Sequence, residues 1–184
     1  YIIHDVNKKG KLDVSGVLRF SSNIGASKII EKISNKTYYS YLRSLGFGTK
    51  TNIKLPGEAK GILVAPEKWS QIQAANISFG QGMSATSLQL AKALSIIANG
   101  GIYIEPYLVK SITNSQGRIL FENNSQPGKR VLSYATSKKM RQLLKSVVED
   151  GGGHKAQIDG VSVSGKTGTG QVAIKGGYSK KRFI

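Results

Sequence analysis

The 184-residue sequence contains no cysteine. That absence excludes a disulfide scaffold, a thiolate metal site and a cysteine nucleophile, and it leaves the compartment open. Acidic residues are scarce: 10 stand against 27 lysines and arginines, a formal charge of +17. Long apolar runs are missing too, since none approaches the ~18 residues needed to cross a bilayer. The chain opens Tyr1-Ile2-Ile3-His4, with neither an initiator methionine nor a signal-peptide pattern. It therefore reads as a piece of something longer, whose remainder can carry an anchor or a targeting segment. The rest of the composition is ordinary for a globular protein. Hydrophobic residues make up 39%, and 22 glycines bring the apolar share to about half, which argues against a disordered tail. The length suits one domain, or most of one.

The positive charge invites a nucleic-acid reading, because phosphate neutralisation dominates such affinity. Its distribution argues the other way. The densest runs are Lys8-Lys9-Gly10-Lys11, Lys138-Lys139-Met140-Arg141 and Lys180-Lys181-Arg182, and none interleaves with aromatics as a stacking platform would. A generally basic, solvated surface is the plainer reading, with attraction to an anionic polymer or membrane surface as the functional one. His4 and His154 are far apart with no second ligand nearby, so no metal is expected.

Turn chemistry at Asn7 to Gly10 precedes the apolar pair Val17-Leu18. Ile24, Ile29, Ile30 and Ile33 then fall at helical spacing, with Ser22 or Asn23 placed to cap the helix. Tyr38, Tyr41, Leu42 and Leu45 predict a second short helix that stops at Gly46 and Gly48. Residues 49–70 read as loop and short extended pieces. The strongest helix signal covers 86–99, capped by Thr86. Its stripe of Leu90, Leu94 and Ile97 predicts a helix buried nearly all round. It follows the tight loop Gly80-Gln81-Gly82. Residues 107–113 and 118–122 predict a hairpin around Asn114-Ser115-Gln116-Gly117. A further helix is expected over about 134–149, with Met140, Leu143, Leu144, Val147 and Val148 inward, followed by Gly151-Gly152-Gly153 as a flexible joint. Val161-Ser162-Val163-Ser164 alternates as a strand. Val172 and Ile174 resume β character, and Arg182-Phe183-Ile184 begins another strand. Trp69 and Tyr38, Tyr39 and Tyr41 read as core or cleft wall.

Gly160 to Thr167 fits the phosphate-loop spacing of Gly, four residues, Gly-Lys-Thr. The context contradicts it. No apolar strand precedes Gly160, the middle four residues alternate like a strand, and Gly168 and Gly170 would fall in the helix's first turn. The competing pattern is Lys166-Thr167-Gly168 on a strand edge, with a Ser-x-Asn far upstream at Ser21-Ser22-Asn23. Those two triplets belong to the signature of penicillin-binding proteins and class A β-lactamases.

Further blocks carry the resemblance along nearly the whole chain. Ser21-Ser22-Asn23-Ile24-Gly25, Leu45-Gly46-Phe47-Gly48, Leu55-Pro56-Gly57-Glu58 and Gly61 come first, then Ser78-Phe79-Gly80-Gln81-Gly82. Thr86 with Leu88-Gln89-Leu90, Ala98-Asn99-Gly100-Gly101 before Pro106, Val131-Leu132-Ser133, Val147-Val148 and Gly165-Lys166-Thr167-Gly168-Thr169 follow in order. In this order the sequence resembles the class B penicillin-binding transpeptidases. Ser-Ser-Asn followed by Ile-Gly is similar to the division-specific (septal) branch, where the elongation branch more often reads Ser-x-Asp.

The resemblance implies an α/β fold of the α+β type, the penicillin-recognising, β-lactamase-like serine transpeptidase fold, with an antiparallel sheet flanked by helices. Residues 1–184 would form a partial domain, incomplete at both ends, running from just before Ser-x-Asn to just after the Lys-Thr-Gly strand. It implies acyl transfer between peptidoglycan stem peptides, no cofactor, β-lactams as ligands, and a membrane-embedded glycan polymerase and divisome proteins as partners. The location implied is the periplasmic face of a bacterial inner membrane, with the anchor outside the chain. Serine needs a base to act as nucleophile, and the family supplies it in a Ser-x-x-Lys. No lysine here has serine three residues before it, so the nucleophile is expected upstream of Tyr1 or lost.

What the resemblance assigns to this chain is the other side of the cleft. Ser21 relays a proton toward the leaving amine, and Asn23 orients the substrate amide. Lys166 supplies positive charge. Thr167 and Thr169 bind the terminal carboxylate, the Thr169 N–H forms half of an oxyanion hole, and Gly168 lets the substrate backbone approach. Two other readings stand beside this one: the same scaffold without catalysis, as a β-lactam-binding or interaction protein, and a basic nucleotide- or nucleic-acid-binding module.

Overall fold

The computed structural model describes residues 2–7, 9–70, 72–124, 128–174 and 177–183. Lys8 of the first basic run and Ile184 of the last expected strand lie outside the described residues. The elements in order are α1 (Val14–Arg19), α2 (Asn23–Ile30), α3 (Asn35–Ser44), α4 (Gln73–Ser78), α5 (Ser87–Ala98), β1 (Ser111–Thr113), β2 (Ile119–Glu122), α6 (Tyr134–Asp150), β3 (Gln171–Ile174) and β4 (Gly177–Phe183). Short 3₁₀ turns occupy Pro66–Lys68 and His154–Ala156. The chain divides into two compact units: Tyr1–Tyr39 with Val64–Met83 and Lys139–Ile184, and Ser40–Leu63 with Ser84–Lys138.

In the first unit, Asp13 starts α1 by accepting from the Gly16 N–H at 2.7 Å. Ser22, rather than Asn23, caps α2, its hydroxyl accepting from the Gly25 N–H at 2.9 Å. Gly25 is required by packing, because a Cβ there would overlap the Val17 side chain. The core of this unit holds Val17, Ala74, Ile77, Leu144, Val147 and Val148. The α6 residues among them are those its helical periodicity predicts, with Met140 and Leu143 half-buried beside them. Trp69 packs edge-on against Tyr38 and Tyr39 at 6.0 and 6.2 Å and donates its indole N–H to the Val64 carbonyl.

Two expectations fail in this unit. The glycine triplet after α6 is a close-packed helix stop, not a loose joint. A Cβ on Gly151 would come within 2.6 Å of the Arg19 carbonyl oxygen, and the Gly153 N–H donates to the Val147 carbonyl at 3.0 Å. Residues 161–164 do not form a strand either: Val161 makes one isolated bridge, to Ile158, and 162–170 adopt no regular secondary structure. A strand exists only through a partner. Here the segment is tied to α6 instead, through the Ser164 hydroxyl to the Arg141 carbonyl at 3.1 Å and the Gly165 N–H to the Leu144 carbonyl at 3.2 Å. β3 and β4 then pair antiparallel, as Val172, Ile174 and the residues near 182 predict.

In the second unit, Thr86 and Gln89 form a capping box at the start of α5. Sequence periodicity places Leu90 and Leu94 inward, yet they are 51% and 53% exposed. The buried face is Gln89, Lys92, Ala93 and Ile96. Gln89 decides the rotation. Fully buried, it satisfies its own amide by donating to the carbonyls of Thr49 at 2.7 Å and Lys60 at 2.9 Å. Lys92 is buried beside it, its ammonium 4.9 Å from the centre of the Tyr103 ring. Burial lowers its pKa, and the charges of Glu58 and Glu105 offset part of that effect. The expected hairpin is present as β1 and β2, its first strand shorter than predicted, with the Asn114 side chain closing the turn on the N–H groups of Gln116 and Arg118. Among the described residues the strands pair as two two-stranded antiparallel ladders, and isolated antiparallel bridges join Ile62 to Ser84, Ile102 to Arg130 and Ile158 to Val161.

Candidate functional site

The site forms in the first unit, where the turn between α1 and α2 meets the segment before β3. Ser21 sits in that turn with φ at 56°, in the left-handed region that side-chain-bearing residues avoid. Lys166, 145 residues away, donates from Nζ to Ser21 Oγ at 2.7 Å. The same ammonium reaches Thr167 Oγ1 and the Thr167 carbonyl, each at 3.2 Å. Lys166 is exposed as a residue, yet partial burial of its charged end lowers its pKa below the usual lysine value. No carboxylate contributes to that shift.

Asn23 lies on the first turn of α2 and donates from Nδ2 to the His4 carbonyl at 3.0 Å. Asp5 stands next to it. Its Oδ2 accepts from the Ser22 hydroxyl at 2.8 Å and its Oδ1 from the Ile24 N–H at 3.0 Å. Thr167, Gly168 and Thr169 follow Lys166 along that segment and face solvent. Gly168 has no structural requirement of its own. Its φ lies outside the left-handed region, and a Cβ there would meet nothing within 4 Å. Open space beside a main chain is what a docking ligand backbone needs. Beyond this segment, Gln81 of the glycine loop donates to the Gln171 side chain at the start of β3, at 3.2 Å.

The structure therefore brings Ser21, Lys166 and Thr167 into direct contact and places Asn23 two residues from Ser21. Gly168 and Thr169 are adjacent to this cluster in the chain. A hydroxyl that accepts from an ammonium keeps its own proton free to donate, so Ser21 can receive and pass a proton in one place. No helix begins at Lys166, which removes the phosphate-loop reading. Sequence reasoning missed Asp5 and the His4 carbonyl. Their link to α2 spans 17 to 19 residues and follows no local spacing.

The family model for the penicillin binding protein transpeptidase domain matches residues 2–183. The chain is 35% identical over 164 residues to penicillin-binding protein PbpB of Mycolicibacterium smegmatis, covering 85% of this chain and 25% of that protein. It is 36% identical over 169 residues to stage V sporulation protein D of Bacillus subtilis, covering 91% and 26%. It is 32% identical over 183 residues to the probable peptidoglycan D,D-transpeptidase PenA of Neisseria flavescens, covering 99% and 43%. The chain thus spans less than half the length of these relatives. Among solved structures, penicillin binding protein 3 of Mycobacterium tuberculosis complexed with aztreonam superimposes with a TM-score of 0.90 at 32% identity, over 98% of this chain and 43% of that one. The transpeptidase domain of Burkholderia pseudomallei penicillin-binding protein 3 gives 0.86 at 32%, over 98% and 52%.

Proposed function

The chain belongs to the family of penicillin-binding-protein transpeptidase domains, and from that premise we propose that it supplies the relay and substrate-binding side of a serine-type peptidoglycan D,D-transpeptidase. Its fold is the penicillin-recognising one. The observation that carries the proposal is the 2.7 Å hydrogen bond from Lys166 to Ser21, which joins the two triplets a relay requires.

In the reaction, a serine hydroxyl attacks the carbonyl of the D-Ala–D-Ala bond and loses its proton. The C–N bond breaks, and the departing D-alanine amine takes up a proton. An amine from a second stem peptide then attacks the acyl-serine, giving up a proton as the serine recovers its own. In this reading Ser21 hands a proton to the leaving amine, and its hydrogen bond with Lys166 supports that role. Lys166 keeps positive potential beside it and favours the substrate carboxylate. Thr167 and Thr169 bind that carboxylate, and Gly168 leaves room for the substrate main chain. Asn23 orients the substrate amide once its own amide leaves His4. These 184 residues hold no Ser-x-x-Lys, so the nucleophile in this proposal comes from polypeptide outside them. The domain would then be a partial one, held at the periplasmic face of the inner membrane and working in septal wall synthesis with a glycan polymerase. The likeness to PbpB and stage V sporulation protein D supports the division assignment.

Fluorescent penicillin tests the reading. We expect covalent labelling of a longer polypeptide that carries Ser-x-x-Lys ahead of Tyr1, and none of the 184-residue chain. Labelling of that longer polypeptide should fall at least tenfold in Lys166→Ala. A folded longer polypeptide that stays unlabelled would make the scaffold a non-catalytic one.

A further inference from the structure

We propose that Asp5 is a positioning residue: its carboxylate locks the start of α2 and thereby holds Ser21 in the conformation that meets Lys166. The inference rests on the transpeptidase reading for its functional meaning, though not for its geometry.

A non-glycine residue at φ 56° is strained and stays there only when its surroundings over-determine it. On the α1 side, the N–H groups of Ser21 and Ser22 donate to the carbonyls of Leu18 at 3.3 Å and Val17 at 3.0 Å. On the α2 side, the pins come from residues 4 and 5. Asp5 accepts a hydrogen bond from the Ser22 hydroxyl, which turns the oxygen's lone pairs toward the Gly25 N–H at 2.9 Å. Its second oxygen takes the Ile24 N–H. One carboxylate thus fixes the capping serine and satisfies a first-turn amide, and its negative charge sits at the helix end that favours it. The adjacent His4 carbonyl holds Asn23. Three consecutive residues after Ser21 are therefore fastened by one dipeptide. Without Asp5 the Ser22 hydroxyl loses its acceptor, the cap weakens, and Ser21 can relax out of the left-handed region and away from Lys166.

The absence of cysteine makes a direct test possible. Ser21→Cys introduces the chain's single thiol beside the Lys166 ammonium. An adjacent ammonium lowers a thiol pKa from ~8.5, so alkylation by iodoacetamide at neutral pH should run about fivefold faster than in Ser21→Cys/Lys166→Met. Adding Asp5→Ala should remove that acceleration, and Asp5→Asn, which keeps one acceptor oxygen, should remove part of it. Asp13→Ala deletes the equivalent cap on α1 and should leave the rate high. Circular dichroism of each variant in the cold reports its helix content. A fast rate retained in Asp5→Ala, or an equal loss in Asp13→Ala, overturns the proposal. Equal rates in Ser21→Cys and Ser21→Cys/Lys166→Met, measured in the cold with the helix content of the unsubstituted chain retained, overturn it as well, because there would be no pair to hold. If penicillin labelling of the longer polypeptide fails while the thiol result stands, the transpeptidase reading falls and the role of Asp5 in the turn remains.

Discussion

Tyr38 lies against Trp69 and beside an apolar groove of about 170 Å³ formed with Val17, Ala26, Ile29 and Ile30. Burial pushes its phenol pKa up to about 12. In the unfolded chain the phenol ionises near 10. Between those values the unfolded chain has lost the proton and the folded one keeps it, so stability falls as pH rises through this window. A phenolate absorbance titration should show one late step near 12, and Tyr38→Phe should delete that step alone. The lysines at Lys92 and Lys166 act with the opposite sign. Their folded pKa values are lowered, so the unfolded chain binds more protons just below the ordinary lysine value, and stability rises with pH there. Lys92→Met should flatten that rise in denaturant titrations carried up to the unfolded lysine value of about 10.4. At this scale the sequence told much about Ser21, Lys166 and Thr167, because each sits in a short motif with its own chemistry. It was silent on Asp5, whose partners are set by tertiary approach.

Among the elements, α5 shows where periodicity misleads. Leucines at 90 and 94 made the more hydrophobic stripe, but the helix turns its glutamine and lysine inward, where loop carbonyls accept from the glutamine amide. No sequence window contains that pairing, since the carbonyls lie 40 and 29 residues away. Gln89→Ala should remove the hydrogen bonds to the Thr49 and Lys60 carbonyls, at a cost of about 0.5–1.5 kcal/mol each. Amide exchange across the first turn of α5 should then accelerate at least tenfold, whereas Leu90→Ala, on the exposed face, should change it little. The α6 pattern was legible over its second half, where the buried residues are the apolar Leu144, Val147 and Val148, but not at Ser137, which is fully buried and donates to the Ile97 carbonyl at 2.6 Å. The strand predicted at 161–164 was not realised because alternation describes a face and says nothing of a partner.

For the molecule as a whole, several large apolar side chains lie in the open, among them Leu90, Leu94, Ile112, Ile119 and Leu120, each at least half exposed. Two-stranded ladders are marginal on their own in water, and a charge of +17 repels itself. The isolated 184-residue chain should therefore bind a hydrophobic dye before heating and melt over a broad, low range. Added salt should raise that range by screening. A sharp transition at about 45–65 °C, as in ordinary mesophilic domains, would contradict this expectation.

The hydrogen bond between Ser21 and Lys166 also has a dimension in time. Its partners are separated by 145 residues, and synthesis proceeds at about 5–20 residues per second. Ser21 is therefore added to the chain roughly 7 to 30 seconds before Lys166 is. During that interval the nascent chain holds Ser21 without its lysine partner. On the proposed reading, a chain stopped anywhere short of residue 166 should take no penicillin label.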